Sequence, residues 1–331
     1  DASAAFLNLT IIKPEAQGFA AIYPCSATPP SSSSINYVAG AVIANASVAK
    51  LSPTGEVCVF AQRATDIAID VNGAAPAITE VGTLPPARLL DTRAGEPTTD
   101  GQFAGVGRAG AGSVTKVKVA GRGGVPANAS TAILNVTMIR PQAQGFATIY
   151  PCSATPPAAS SINYGAGVVV ANLSVAKLSA SGEVCVFAQR ATDIAIDVNG
   201  FALPTADLET LPPARLLDSR PGEPTTDGQS AGAGRAAAGS ITRVKVAGRG
   251  GVPADATAVV VNAIAIAPSA QGFLVVYPCT PARPTASNVN YPAGSVVANG
   301  VFAKLSPTGE VCVYTSREAH LVLDVNAFVT G

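Results

Sequence analysis

The six cysteines are the residues of this chain best equipped for chemistry, and their spacing limits what they can do. They fall in pairs 33 residues apart (58 − 25, 185 − 152, 312 − 279): Cys25 with Cys58, Cys152 with Cys185, Cys279 with Cys312. A zinc site takes about four ligands, and a chain with one histidine cannot supply them at each pair. A CxxC redox motif is absent. The spacing predicts one structural disulfide per pair, each closing a loop worth about 3–4 kcal/mol on the chain-entropy view. Such bonds persist in an oxidising compartment, so the expected location is extracellular or at the cell surface.

Carboxylates and guanidinia form the second group. Arg88, Asp91 and Arg93 in RLLDTR recur as Arg215, Asp218 and Arg220 in RLLDSR. Asp and Arg two apart in a strand point the same way and can pair, which predicts a structural ion pair anchoring a first strand, with an anion or glycan contact as the functional alternative. Asp70 with Asn72, Asp197 with Asn199, and Asp324 with Asn326 also share strand faces. Oxygens two residues apart in a strand lie about 6–7 Å apart. With ligands from other loops they could hold calcium, but EF-hand and RTX spacings are absent, so these residues are expected to bond turns and neighbouring strands and no cofactor is expected.

Other motifs carry less. GVGRAG (105–110) matches GxGxxG, but SVTKVKV follows it with strand character where a dinucleotide site needs a helix. AGRGGVP (120–126) lacks the GK[ST] of a phosphate loop and marks a turn. His320 stands where the other copies have Asp66 and Asp193, so no catalytic triad repeats. The N-glycosylation pattern begins at Asn8, Asn45, Asn128, Asn135 and Asn172, several of them mid-strand. With no reactive set recurring, the chain is expected not to be an enzyme.

These groups are positioned by a repeat. Cys25, Cys152 and Cys279 are 127 residues apart (152 − 25 and 279 − 152), and AQGF, INY or VNY, and GEVC keep the same step. GEVCVFAQRATDIAIDVNG (55–73) recurs letter for letter at 182–200. A unit of this length can bury its own core. Units are expected at 1–79, an incomplete first repeat without the RLLDTR-to-GRGGVP segment, and at 80–206 and 207–331. Pro-bearing stretches at 74–87 and 202–214 would act as short, stiff linkers. The missing strands of the first unit belong to a longer parent chain or are lent by another molecule.

Within the middle copy, strands are expected near 87–92, 113–120, 131–140, 145–152, 160–164, 167–178, 183–189 and 192–202. Ile194, Ile196 and Val198 alternate with polar residues, as in a strand with one buried face. Turn signals separate the strands and no helical period is sustained. The predicted fold is all-β: tandem antiparallel β-sandwiches, Ig-like or jelly-roll, one disulfide each, as beads on a string.

PARLLDTR (86–93), VAGRGGVP (119–126), YPC, INY, GEVC and DVNGF (197–201) together resemble an uncharacterised repeat module of secreted bacterial proteins, found especially in actinobacteria. There it occurs in tandem or appended to secreted hydrolases. The resemblance implies an extracellular β-rich module without established catalysis. This chain departs from the pattern in having Asn199 and Asn326 where many members have Ala, and in lacking a tyrosine there.

Composition narrows the partners. Twenty-one basic and 21 acidic residues cancel, and only 13% of residues are charged, which gives no electrostatic grip on nucleic acid. No stretch has the length of a membrane span. With no Trp and 5% aromatics, a stacked sugar platform is disfavoured. The expected function is an extracellular structural repeat protein, a building block of a fibre, sheath or adhesive stalk whose partner is itself, as homopolymer or longer chain. The alternative is a non-catalytic module tethering a secreted enzyme to cell wall or polysaccharide. Exposed Tyr23, Tyr37 and their equivalents would favour the tether, buried ones the structural role.

Overall fold

Val, Ile, Thr and Ala alternate along most segments, and Gly and Pro interrupt them every eight to twelve residues or so, a pattern that favours short strands over helices. The computed structural model describes residues 2–25, 29–30, 33–76, 81–152, 155–157 and 159–330. Among these the chain forms 22 strands and no helix. The boundary expected at 79/80 lies outside the described residues.

The first repeat contributes β1 (Ala2–Ile12), β2 (Gly18–Pro24), β3 (Ile35–Tyr37), β4 (Val42–Lys50), β5 (Val57–Ala61) and β6 (Asp66–Pro76). The second begins with two further strands, β7 (Val81–Asp91) and β8 (Ser113–Lys118). It continues with β9 (Thr131–Ile139), β10 (Gly145–Pro151), β11 (Ile162–Tyr164), β12 (Val169–Lys177), β13 (Glu183–Ala188) and β14 (Asp193–Ala202). The third repeats the second as β15 (Leu208–Asp218), β16 (Ile241–Lys245), β17 (Ala256–Ile266), β18 (Gly272–Pro278), β19 (Val289–Tyr291), β20 (Val296–Lys304), β21 (Glu310–Thr315) and β22 (His320–Thr330).

The described strands make six small antiparallel sheets. Their orders, from the molecular axis outward, are β4-β1-β6, β3-β2-β5, β12-β9-β14-β7, β11-β10-β13-β8, β20-β17-β22-β15 and β19-β18-β21-β16. The six strands named first in these orders share one axial cavity, so the sheets stand around an axis as the blades of a six-bladed β-propeller. Each repeat supplies two neighbouring blades that enclose a common core. In the second repeat that core holds Leu89, Val117, Leu134, Ile149, Tyr164, Val186 and Ile196.

This corrects the expectation of tandem sandwiches on a string. A free-standing sandwich keeps the outer face of each sheet wet, yet β9 is buried at all nine positions, because a neighbouring repeat covers its second face. Nor are the described parts of the stretches expected to be linkers simple spacers. β7 and β15 are outermost blade strands, paired with β14 and β22, and Ala206 and Leu208 enter an inter-repeat cluster with Val48, Val175, Val260 and Ala327. Period-two alternation reports one buried face and is silent about what lies on the other, which is why sandwich and propeller look alike in it.

Candidate functional site

Six buried asparagines join the repeats. Asn45 Nδ2 donates to Asn135 Oδ1 at 2.9 Å and Asn172 Nδ2 to Asn262 Oδ1 at 3.0 Å. The third repeat returns to the first through Asn299 Nδ2 to Asn8 Oδ1 at 2.9 Å. Each inner asparagine also accepts from the backbone of the next repeat: Leu173 N to Asn45, Gly300 N to Asn172, Ala46 N to Asn299. A buried amide left unpaired costs about 1–3 kcal/mol, so these bonds specify how the repeats dock. Four of the six are glycosylation-pattern residues, Asn8, Asn45, Asn135 and Asn172, and all four are buried, while Asn128 is exposed. Sequence reasoning missed the ring. Its signal was an amide at the same step in mid-strand of every copy. Beside the ring lies the apolar axial cavity, about 350 Å³, with Val42, Val169 and Val296 among its walls.

The Arg–Asp sets bind the outermost strands to their blades. Arg88 donates to Asp197 through Nε at 2.6 Å and Nη2 at 3.2 Å, and to Asp91 at 2.6 Å. Arg93 chelates Asp91 through Nε at 3.0 Å and Nη2 at 2.7 Å. Arg215, Asp218, Arg220 and Asp324 repeat the arrangement. Burial alone would raise the Asp91 carboxyl, but hydrogen bonds and charge from Arg93, with charge from Arg88, outweigh it and hold the group below its ordinary range. Of the calcium candidates, Asp197 and Asp324 are thus taken by guanidinia. Asn199 and Asn326 are buried, and Asp70 and Asn72 lie on β6. Among the described residues no group of acidic, His or Cys side chains is arranged to hold a metal.

The glycine-rich motifs are loop locks. Arg108 of GVGRAG donates to Asp193 at 2.6 Å and to the carbonyl of residue 140. Arg122 of AGRGGVP is buried, bonds both Asp100 oxygens at 2.7 Å and lies 4.9 Å from the Phe103 ring centre. Gly123 and Gly124 take φ of 54° and 88°. A Cβ on Gly123 would come within 2.9 Å of Leu89, so this turn admits glycine alone. His320 Nδ1 lies 3.1 Å from Ser219 Oγ, which also accepts from Leu321 N. Thr92 and Asp193 make the equivalent contact in the second repeat, marking it as a loop lock as well.

The cysteines are joined Cys25–Cys58, Cys152–Cys185 and Cys279–Cys312, and none is free. Each bond ties the end of one blade strand to its neighbour, near the ring pairs Phe19–Phe60, Phe146–Phe187 and Phe273–Tyr314. Three disulfides belong to an oxidising environment. Tyr37, Tyr164 and Tyr291 are buried, and each donates its hydroxyl to the carbonyl of Phe19, Phe146 or Phe273. Tyr150 and Tyr277 are buried and Tyr23 half-buried. Polar clefts separate one repeat's second blade from the next repeat's first. One holds Phe19, Asn36 and Gln62 opposite Arg88, Arg93 and Arg140, and its counterpart holds Phe146, Asn163 and Gln189 opposite Arg215 and Arg220.

The first repeat differs from the others at its outer edge. Among the described residues, β6 pairs with β1 alone and β5 with β2 alone. Ile67, Ile69 and Val71 are 41%, 40% and 70% exposed, whereas their equivalents Ile194, Ile196 and Val198 are all 0% exposed. Asp70, counterpart of Asp197, has no ion-pair partner among the described residues, and burial raises its carboxyl. A row of unpaired strand amides beside an apolar strip is a template for another strand.

No family model matches the chain, and no curated protein matches it. Among solved structures, a chain of the Sulfolobus turreted icosahedral virus aligns over 100% of this chain and 81% of its own, at 9% identity and a TM-score of 0.22. A likeness that slight carries no argument about fold or function.

Proposed function

We propose that the chain is a non-catalytic structural module of the cell exterior, a rigid ring that serves as a building block of a larger surface assembly. One observation carries this reading: three sets of polar residues that recur from repeat to repeat are spent on the ring's own cohesion. The asparagines join repeat to repeat, the Arg–Asp sets hold outer strands, and the recurring tyrosines Tyr37, Tyr164 and Tyr291 bond inward. The disulfides suit a location outside the cell. Its partner is taken to be itself, in a homopolymer or a longer chain. Electron microscopy of the protein as isolated from its source tests the reading. Ordered filaments or sheets containing it would support the proposal, and dispersed single rings at high concentration would overturn it.

A second reading, tethering to cell wall or polysaccharide, draws on the inter-repeat clefts. They place side-chain amides and aromatic rings opposite arginines, groups that bond sugar hydroxyls and acidic sugars. A glycan array tests it. Binding that Arg93→Ala with Arg220→Ala abolishes would favour the tether.

A further inference from the structure

We infer that the open edge of the first repeat is a receptor for a polypeptide donor: a segment from a further repeat of this same type, with the RLLD-to-GRGGV pattern of residues 81–125. The second and third repeats show what such a segment does. There β7 and β8, or β15 and β16, complete the paired blades, and Leu89, Val117 and Val125 close the core over Ile194, Ile196 and Val198. The first repeat has the same receptor surface. Residues 55–73 match 182–200 in every letter, and β6 lies on β1 as β14 lies on β9.

Three features of that surface are unfilled. The apolar strip Ile67, Ile69 and Val71 is exposed. Among the described residues, the outer edge of β6 has no strand against it. No guanidinium among the described residues meets the Asp70 carboxylate as Arg88 meets Asp197 and Arg215 meets Asp324. A donor of the stated pattern supplies all three together, through a strand, two leucines and an arginine. Adding a strand to a bare edge is an established mode of peptide capture. A second copy of this chain fits less well, because its own segments of this type already close its second and third repeats.

The inference deepens the structural reading, since it names the joint through which a ring is built onward. Its test is separate from microscopy. The segment 80–127 is added as a peptide to the intact chain, and in a second experiment is fused directly ahead of Asp1, the register the repeat prescribes. Hydrogen exchange of residues 66–73 and the thermal midpoint are read. Expected are saturable one-to-one binding, slowed exchange at Ile67–Val71 and a higher midpoint in both formats. Arg88→Ala in the donor should weaken binding at least tenfold. Asp70→Asn in the receptor should do the same, without adding to the first change. Unchanged exchange in the fused protein would overturn the inference, because tethering removes any shortage of affinity. So would a chain that dimerises through β6 in analytical ultracentrifugation and is not displaced by the donor. Assemblies seen without donor binding would sink this inference alone. Donor binding without assemblies would sink the structural reading alone.

Discussion

Residues 55–73 and 182–200 are the same nineteen letters, yet they live in different surroundings. In the second repeat Ile194, Ile196 and Val198 are sealed, and Asp197 is chelated by Arg88. In the first, Val71 faces solvent and Asp70 meets no guanidinium among the described residues. Strand formation needs only the local pattern and occurs in both. Burial needs the partner strands, which come from a segment some 80–110 residues away in sequence (196 − 117 and 197 − 88). The pair is an internal control in which local sequence is constant and tertiary context varies.

The largest expected effect comes from placing a charge at the two equivalent valines. Val198→Asp buries an unpaired carboxylate in the core and should cost over about 4 kcal/mol, enough to threaten folding. Val71→Asp should stay within about 0.5 kcal/mol. Urea denaturation of both variants checks this, and equal losses would erase the distinction drawn here. Next comes the ion pair. Arg215→Ala leaves Asp324 buried and uncompensated and should cost about 3–5 kcal/mol, while Asp70→Asn in the first repeat should change the urea midpoint little.

The asparagine ring gives a smaller effect. Asn299→Ala removes the bond to Asn8 and the acceptor for Ala46 N, at about 1–3 kcal/mol. Hydrogen exchange should accelerate at residues 44–48 and 6–10 and stay unchanged at the second repeat's joint with the third. Acidification gives the mildest and most selective test. Arg249 hydrogen bonds pull the Asp227 carboxyl down to about 2, against about 3.9 unfolded. A depressed folded value stabilises above the unfolded value, and the contribution is lost as pH falls through about 2. Asp91 acts with the same sign. Asp70, raised by burial, has the opposite sign: its contribution is present in acid and fades as pH rises through its folded value. Asp227→Asn should therefore flatten the acid limb of a urea-midpoint profile between pH 4 and 2, and Asp70→Asn should not.

Much of the local structure was legible in sequence. Turn residues and alternation mark strands whose observed positions include 113–118, 145–151 and 193–202, and the cysteine step marks three bonded pairs. The arrangement of the sheets was not legible. Asn8, Asn45 and their equivalents resemble surface amides in a string of letters, and only the neighbouring repeat turns them into buried connectors. Prolines in 202–214 suggested a spacer, although an outermost strand tolerates proline at its free edge, and Pro212 and Pro213 lie within β15. Asp91 with Arg93 was visible as a pair two residues apart. Asp197, which Arg88 ties to that pair, lies 109 residues beyond Arg88, out of reach of a spacing argument.

The bond from Asn299 to Asn8 spans 291 residues. A chain made from its N-terminus at about 5–20 residues per second exposes Asn8 roughly 15–60 s before Asn299 exists. Throughout that interval Asn8 has no ring partner, and Phe6 lacks the Phe302 ring that stacks on it at 4.3 Å. Strands of the third repeat therefore finish strands of the first, and the longest wait for a partner, with the exposure to misassembly it brings, belongs to the first repeat.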